Sequence, residues 1–150
     1  MLLRDYLTPE RVALHLDGTT KEEILDAMVA LLMLDDRSRE ILSRTLRRRE
    51  NLGSTGIGRG IAIPHCRSLV VNRLHLAYAR RPGGVDFQSI DGQPVSHFFL
   101  IVAPPLEVSG QYLPTLGRIA QFAREPEVPE RLEALESAEQ LFQLLEDKGM

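Results

Sequence analysis

The stretch Leu52 to His65 reads LGSTGIGRGIAIPH and concentrates the residues best suited to chemistry. Ser54 and Thr55 are a hydroxyl pair. Gly53, Gly56, Gly58 and Gly60 let a backbone turn tightly and bring its N–H groups close to an anion. Ile61, Ala62 and Ile63 are long enough for one buried strand. Pro64 fixes its own φ and cannot donate to a ladder, so the strand is expected to stop there. His65 would then project from the strand end beside the glycine loop. A neutral imidazole attacks phosphorus readily, and the ordinary histidine pKa near 6.5 leaves the ring largely neutral at neutral pH. Hydroxyls, backbone N–H groups and a guanidinium are fitting donors to phosphoryl oxygens. The chemistry that suits this stretch is reversible phosphorylation of His65. A histidine alone at a strand end would more simply be a cap or a core residue, and a glycine loop a plain connection.

The flanking sequence must position that segment. Arg11 to Leu16 alternates in part and reads as a short strand, and Asp17-Gly18 turns the chain. Thr20-Lys21-Glu22-Glu23 forms a capping box, followed by Ile24, Leu25, Met28, Leu31 and Leu32 at helical spacing. A second helix is expected from near Ser38 to Glu50, with Ile41, Leu42, Thr45 and Leu46 inward and Gly53 as a left-handed cap. Arg44, Arg47, Arg48 and Arg49 place positive charge at its end, opposite the negative pole of the dipole. Leu74 to Arg80 reads as a strand with Leu74, Leu76 and Tyr78 on one face and His75, Ala77 and Ala79 on the other. Arg81-Pro82-Gly83-Gly84 is a turn by composition, Val85 to Phe87 a short edge strand, and Asp91-Gly92 a further turn. His97 to Ala103 is almost wholly apolar and reads as a central strand closed by Pro104-Pro105. Leu113, Leu116, Ile119, Ala120 and Phe122 recur at helical spacing, with Pro114 confining the start of that helix to its vicinity. Short helices are expected around Glu130 to Leu135 and after a cap at Ser137, with Gln140 three residues on. Strands alternating with helices give an α/β or α+β sheet covered by helices.

Composition narrows the function classes. The 150 residues suffice for one domain, 1–150, burying about 70% of its unfolded surface. Hydrophobic residues make up 43% and charged residues 26%, ordinary for a globular protein. A net charge of -3 supplies no positive field for a polyanion, so nucleic acid is not an expected partner. The single cysteine, Cys66, cannot form an internal disulfide, which fits a reducing cytoplasm. Met1 to Leu7 lacks a signal-peptide core, and no stretch approaches the roughly 18 apolar residues of a membrane span. The chain closes at Met150 without a further domain, so phosphoryl acceptors are expected to be separate proteins.

Arg49-Glu50, Gly53-Ser54-Thr55-Gly56-Ile57-Gly58 and Gly60-Ile61-Ala62-Ile63-Pro64-His65 together resemble the signature of enzyme IIA domains of the phosphoenolpyruvate-dependent sugar phosphotransferase system. The likeness is to the fructose/mannitol type, including the nitrogen-regulatory IIA proteins. It extends through Phe87, Ile90 to Val95, Phe98 to Val102 and Leu113 to Ala120. The resemblance implies a single three-layer α/β/α domain with a mixed sheet between helices. It implies phosphorylation of His65 at Nε2 by HPr or its nitrogen-type counterpart, and Arg49 as the stabilising guanidinium. It assigns phosphate contacts to Ser54, Thr55 and Gly56. Two functions are open: transfer onward to an enzyme IIB in sugar uptake, or a nitrogen-type regulator whose phosphorylation switches protein binding. Neither needs a cofactor, metal or nucleotide.

Two departures stand out. Where many enzyme IIA domains place a second histidine facing the first, this chain has Tyr112, which can hydrogen-bond a phosphate but cannot become cationic. Cys66 stands where the family often has glycine, either as a redox-sensitive neighbour or as a small residue that fits. His15, His75 and His97 read as structural, His97 satisfying a backbone carbonyl. Their spacing offers no metal site. Nucleotide binding is disfavoured because the glycines run into a strand rather than a helix, and G-K-[ST] is absent.

Overall fold

The computed structural model describes residues 2–150; of the Met1 to Leu7 segment, Met1 lies outside the described residues. The elements are β1 (Val12–Ala13), α1 (Lys21–Ala30), α2 (Asp36–Leu52), β2 (Gly56–Gly58), β3 (Ile61–Ala62), β4 (His65–Arg67), β5 (His75–Val85), β6 (Val95–Ala103), α3 (Tyr112–Ala123), α4 (Val128–Glu133) and α5 (Ala138–Asp147). The apolar run of β6 lies at the centre of a mixed sheet ordered β1-β5-β6-β3-β2, with β4 also on β6. β5 runs antiparallel to β6, whereas β3 and β4 run parallel to it.

Both sheet faces are covered. Leu74, Leu76, Tyr78, Phe99 and Ile101 pack with residues of α3, α4 and α5. Ala77, Ala79, Phe98, Leu100 and Val102 pack with α1 and α2 on the other side. The period of two expected for β5 therefore sorts its residues as the sequence indicates, and the architecture is helix, sheet, helix. Thr20 caps α1 by accepting from the Glu23 N–H at 3.1 Å, and Ser137 caps α5 by accepting from the Gln140 N–H at 3.2 Å. Pro114 sits in the first turn of α3.

Several local expectations are corrected. α2 starts at Asp36 behind an Asp35 cap, and its buried stripe is Leu42, Leu46 and Glu50. Ile41 faces solvent, because a stripe set by Leu42 and Leu46 rotates its neighbour off the core. Gly53 has φ 160 and ψ 138, an extended conformation and not a left-handed cap. The Pro82-Gly83-Gly84 turn lies inside β5 as a bulge: Arg80 pairs with His97 and Val85 with Val95, with a register shift between. Two successive glycines at φ +85 and +74 absorb the extra residues without ending the strand. No separate edge strand forms over Val85 to Phe87; Val85 closes β5 and Phe87 is a buried loop residue. His97 takes no carbonyl: its Nδ1 accepts from the Tyr78 hydroxyl at 2.9 Å, and its Nε2 lies 3.4 Å from Glu133.

His97 and His75 give the fold an acid limit. Burial, with Arg80 adding, holds the His97 pKa down at about 4. Burial, with Arg11 and Arg73 adding, does the same for His75. Between the ordinary value near 6.5 and about 4, the unfolded chain binds protons that the folded chain refuses. Their contribution is full above pH 6.5 and is lost as pH falls towards 4, at up to about 1.4 kcal/mol per pH unit for each ring. Urea midpoints measured from about pH 7.5 to about pH 4.5 are expected to fall steadily, and to fall less steeply in His97→Gln. Equal slopes in the two proteins would remove His97 from this account.

Candidate functional site

Pro64 ends β3 as expected, but pairing resumes at once. Ile61 and Ala62 oppose His97 and Phe98, and His65, Cys66 and Arg67 oppose Ile101, Val102 and Ala103 in the same register. Pro64 cannot donate, but its carbonyl accepts from the Ile101 N–H at 3.0 Å and bridges the interruption. His65 therefore opens a strand and does not project from the end of one. Alternation then decides the side chains: Cys66 points into the α1/α2 core, while His65 and Arg67 share the opposite face, the one covered by α3.

The His65 ring is fixed by the segment that joins β3 to β4. Nδ1 lies 2.7 Å from the Ile63 carbonyl oxygen. A carbonyl only accepts, so Nδ1 carries the proton and Nε2 keeps its lone pair. Across from it stands Tyr112, the first residue of α3, with ring centroids 6.4 Å apart and planes at 53°. The Arg67 guanidinium carbon sits 4.4 Å from the Tyr112 ring centroid. The Glu107 carboxylate accepts from the N–H groups of Gln111 at 2.7 Å and Tyr112 at 3.3 Å, filling the N-terminal pole of α3 and fixing Tyr112. Burial raises the Tyr112 pKa, with the Cys66 thiol adding and Arg67 and Arg49 opposing. The phenol thus remains an O–H donor at neutral pH, with the Arg67 guanidinium against its ring.

Arg49 ends α2 and donates to the Gly53 carbonyl at 2.9 Å, holding the turn into the glycine segment. That segment is a hairpin and not an open cradle. β2 pairs antiparallel with β3, and the donors around it already have partners. The Thr55 N–H meets the buried Glu50 carboxylate at 3.1 Å, and the Thr55 hydroxyl donates to the same group. The Ser54 hydroxyl donates to the Phe87 carbonyl at 2.6 Å and accepts from the Gly56 N–H at 3.0 Å. The Gly58 N–H meets Ser89 Oγ at 3.2 Å, and the Arg59 N–H meets Asp91 at 3.0 Å. A Cβ at Gly56 would lie 2.8 Å from Ser89 Cα, so this glycine marks a close approach of two backbone segments. Lys21, 3.4 Å from Glu50, completes the buried support.

His65 and Tyr112 thus face each other, with Arg67 on the Tyr112 ring, while Arg49 is tied to the Gly53 carbonyl and its charge reaches Tyr112. Ser54, Thr55 and Gly56 have their donors occupied by the protein itself. Sequence reading missed Arg67 and Lys21. Arg67 was findable from its position two residues after His65 on a strand; Lys21 reaches Glu50 only through the packing of α1 on α2. The redox alternative for Cys66 finds no support: the side chain is buried, and burial pushes the thiol up to about 12, far from the thiolate.

Residues 5–148 match the family model described as phosphoenolpyruvate-dependent sugar phosphotransferase system, EIIA 2. The chain is 33% identical over 147 residues to a nitrogen regulatory protein of Pseudomonas aeruginosa, covering 97% of this chain and 95% of that one. It is 31% identical over 149 residues to the fructose-specific EIIABC component of Bacillus subtilis, of whose length it spans only 23%. The fold superimposes on nitrogen regulatory protein IIA-Ntr from Neisseria meningitidis with TM-score 0.85 at 30% identity, covering 94% of this chain and 97% of that one. It superimposes on the complex of enzyme IIAMTL and phosphorylated enzyme IIBMTL from Escherichia coli with TM-score 0.76 at 20% identity, over 94% of this chain and 97% of the matched one. Among the described residues no helix is long and apolar enough to cross a membrane.

Proposed function

Because the chain belongs to the EIIA 2 family of the phosphoenolpyruvate-dependent sugar phosphotransferase system, we propose that residues 1–150 form one cytoplasmic type-2 IIA domain that carries a phosphoryl group on His65 Nε2. The observation that carries this reading is the 2.7 Å contact of His65 Nδ1 with the Ile63 carbonyl, which leaves Nε2 as the ring's nucleophile. The donor is a phosphorylated HPr-type protein. The Nε2–phosphorus bond forms as the donor's nitrogen–phosphorus bond breaks, and that electron pair stays on the donor nitrogen. The Nδ1 proton remains against Ile63. Little covalent work is left to the protein, so positioning and charge dominate. Arg49 contributes positive charge and Tyr112 an O–H donor towards the phosphoryl oxygens. Ser54, Thr55 and Gly56 hold the hairpin from which the Arg49 turn is built. No metal or cofactor enters any step.

The acceptor is an enzyme IIB. Leu69 and Leu106, 88% and 89% exposed, and Leu113, 64% exposed, stand on the segments after β4 and before or within the start of α3. Exposed apolar residues on the segments that carry a reactive group suit transient docking of protein partners. The TM-score of 0.85 to a nitrogen regulatory protein favours a second reading. In it the same phosphorylation switches the binding of target proteins, because a charge of about -1.5 to -2 at His65 alters docking at that face.

The test supplies phosphoenolpyruvate, enzyme I and a panel of HPr-type donors, sugar and nitrogen type, and reads intact mass. One acid-labile phosphoryl group is expected, and the faster donor separates the two branches. A protein that no donor phosphorylates would end the carrier reading.

A further inference from the structure

We propose that Arg67, held by Tyr112, is a second phosphoryl-binding cation at His65, an inference that rests on the carrier reading above. Three observations place it. First, His65 and Arg67 are alternate residues of β4, so their side chains leave the sheet on the same face. Second, the Arg67 guanidinium stacks on the Tyr112 ring at 4.4 Å, and that ring is the neighbour of the His65 imidazole. Third, the guanidinium retains most of its donors. Its protein hydrogen bond is a long one of 3.4 Å to the Pro104 carbonyl. Arg59, by contrast, donates to three carbonyls, those of Ala123, Glu125 and Pro126, and is not free to receive an anion.

The division of labour follows from side-chain chemistry. A tyrosine at the start of α3 cannot carry the positive charge that a protonated histidine could. It can orient a guanidinium on its face and offer its own O–H alongside. Arg67 and Tyr112 together therefore supply a cation and a neutral donor from the α3 side, and Arg49 supplies charge from the end of α2. As Nε2 attacks, the phosphoryl oxygens gain Arg67 N–H contacts that no neutral ground state of the site requires. In this pair Arg67 binds the group and Tyr112 positions Arg67.

The experiment compares wild type with Arg67→Met, Arg67→Lys and Tyr112→Phe, using saturating HPr-type donor in single-turnover mode and reading both rate and the equilibrium ratio of phosphorylated protein. Arg67→Met is expected to slow transfer to His65 about tenfold to hundredfold, and to shift the equilibrium towards unphosphorylated protein. The urea midpoint should stay unchanged, since Arg67 is exposed. Arg67→Lys is expected to recover part of the loss through its charge, and Tyr112→Phe to fall between because the stacking ring remains. Wild-type rate and equilibrium in Arg67→Met would overturn the assignment while leaving the carrier reading intact. Equal loss in Arg67→Met and Arg67→Lys would also overturn it, since charge would then not be what the site uses. If wild type itself accepts no phosphoryl group from any donor, the carrier reading fails, and this inference with it.

Discussion

His65→Ala is expected to abolish acid-labile phosphorylation altogether, while His15→Ala leaves it at the wild-type level. The contrast follows from where the four histidines lie. His75 and His97 are buried, with 6% and 3% of their surface exposed. Each is neutral at pH 7, held there by burial. His15 is exposed but stands on the segment after β1, whereas β4, which opens at His65, lies beyond β5 and β6 in the sheet. Only His65 combines partial exposure, a proton on Nδ1 and a place against Tyr112, whose ring carries the Arg67 guanidinium. Removal of the ring takes away the nucleophile itself, so no partial rate remains. Folding should survive, because the imidazole is half-buried and its hydrogen bond is to the Ile63 carbonyl two residues before it. Intact mass before and after brief acid treatment reads the result directly. Phosphate persisting on His65→Ala would move the acceptor to another residue and sink the assignment.

Glu50→Ala is expected to be the costliest single change to stability, at about 3–5 kcal/mol. Glu50 is 4% exposed and lies at the end of α2. It accepts from the Thr55 N–H and hydroxyl and faces Lys21, which also lies under Gln88 and 4.8 Å from the Phe87 ring centroid. Without the carboxylate, a Lys21 ammonium only 11% exposed at its side chain is left uncompensated, and two Thr55 donors lose their acceptor. The hairpin that follows Arg49 would lose its anchor at the same time. Lys21→Met in the Glu50→Leu background should recover part of the loss, because no buried charge is then left uncompensated, while the two Thr55 donors still lack their acceptor. Urea denaturation of the four proteins gives the coupling between the pair. Additive losses in the double variant would show that the two residues act independently and that burial alone sets the cost.

Much of the fold was legible because it depends on local periods. The alternation in β5, the apolar run of β6, the Thr20 and Ser137 caps and the break at Pro64 each follow from constraints within a few residues. What was misread involved competition between local and distant preferences. Pro82-Gly83-Gly84 has the composition of a turn, yet pairing with β6 carries the strand through it as a bulge. Ile41 fits a helical stripe, yet Leu42 and Leu46 set the buried face. His97 meets a tyrosine hydroxyl two strand positions away across β5 and β6, a partner fixed by register.

The sequence by itself pointed to the family, through the likeness of its Gly53 to His65 motif, and singled out His65 as the candidate reactive residue, because a histidine after a proline and behind closely spaced glycines is legible within a few residues. Tertiary structure alone decided which groups face that histidine. The glycine-segment donors turned to Glu50, Ser89, Asp91 and Ser54. Tyr112 from α3 faces His65 instead, and Arg67 from β4 stacks on the Tyr112 ring. Hydrogen-bond donors satisfy whichever acceptor packing brings within about 3 Å. Glu50 and Ser54 are near in sequence, but Ser89 and Asp91 lie 31 and 32 residues from the donors they meet, and no local pattern encodes those contacts.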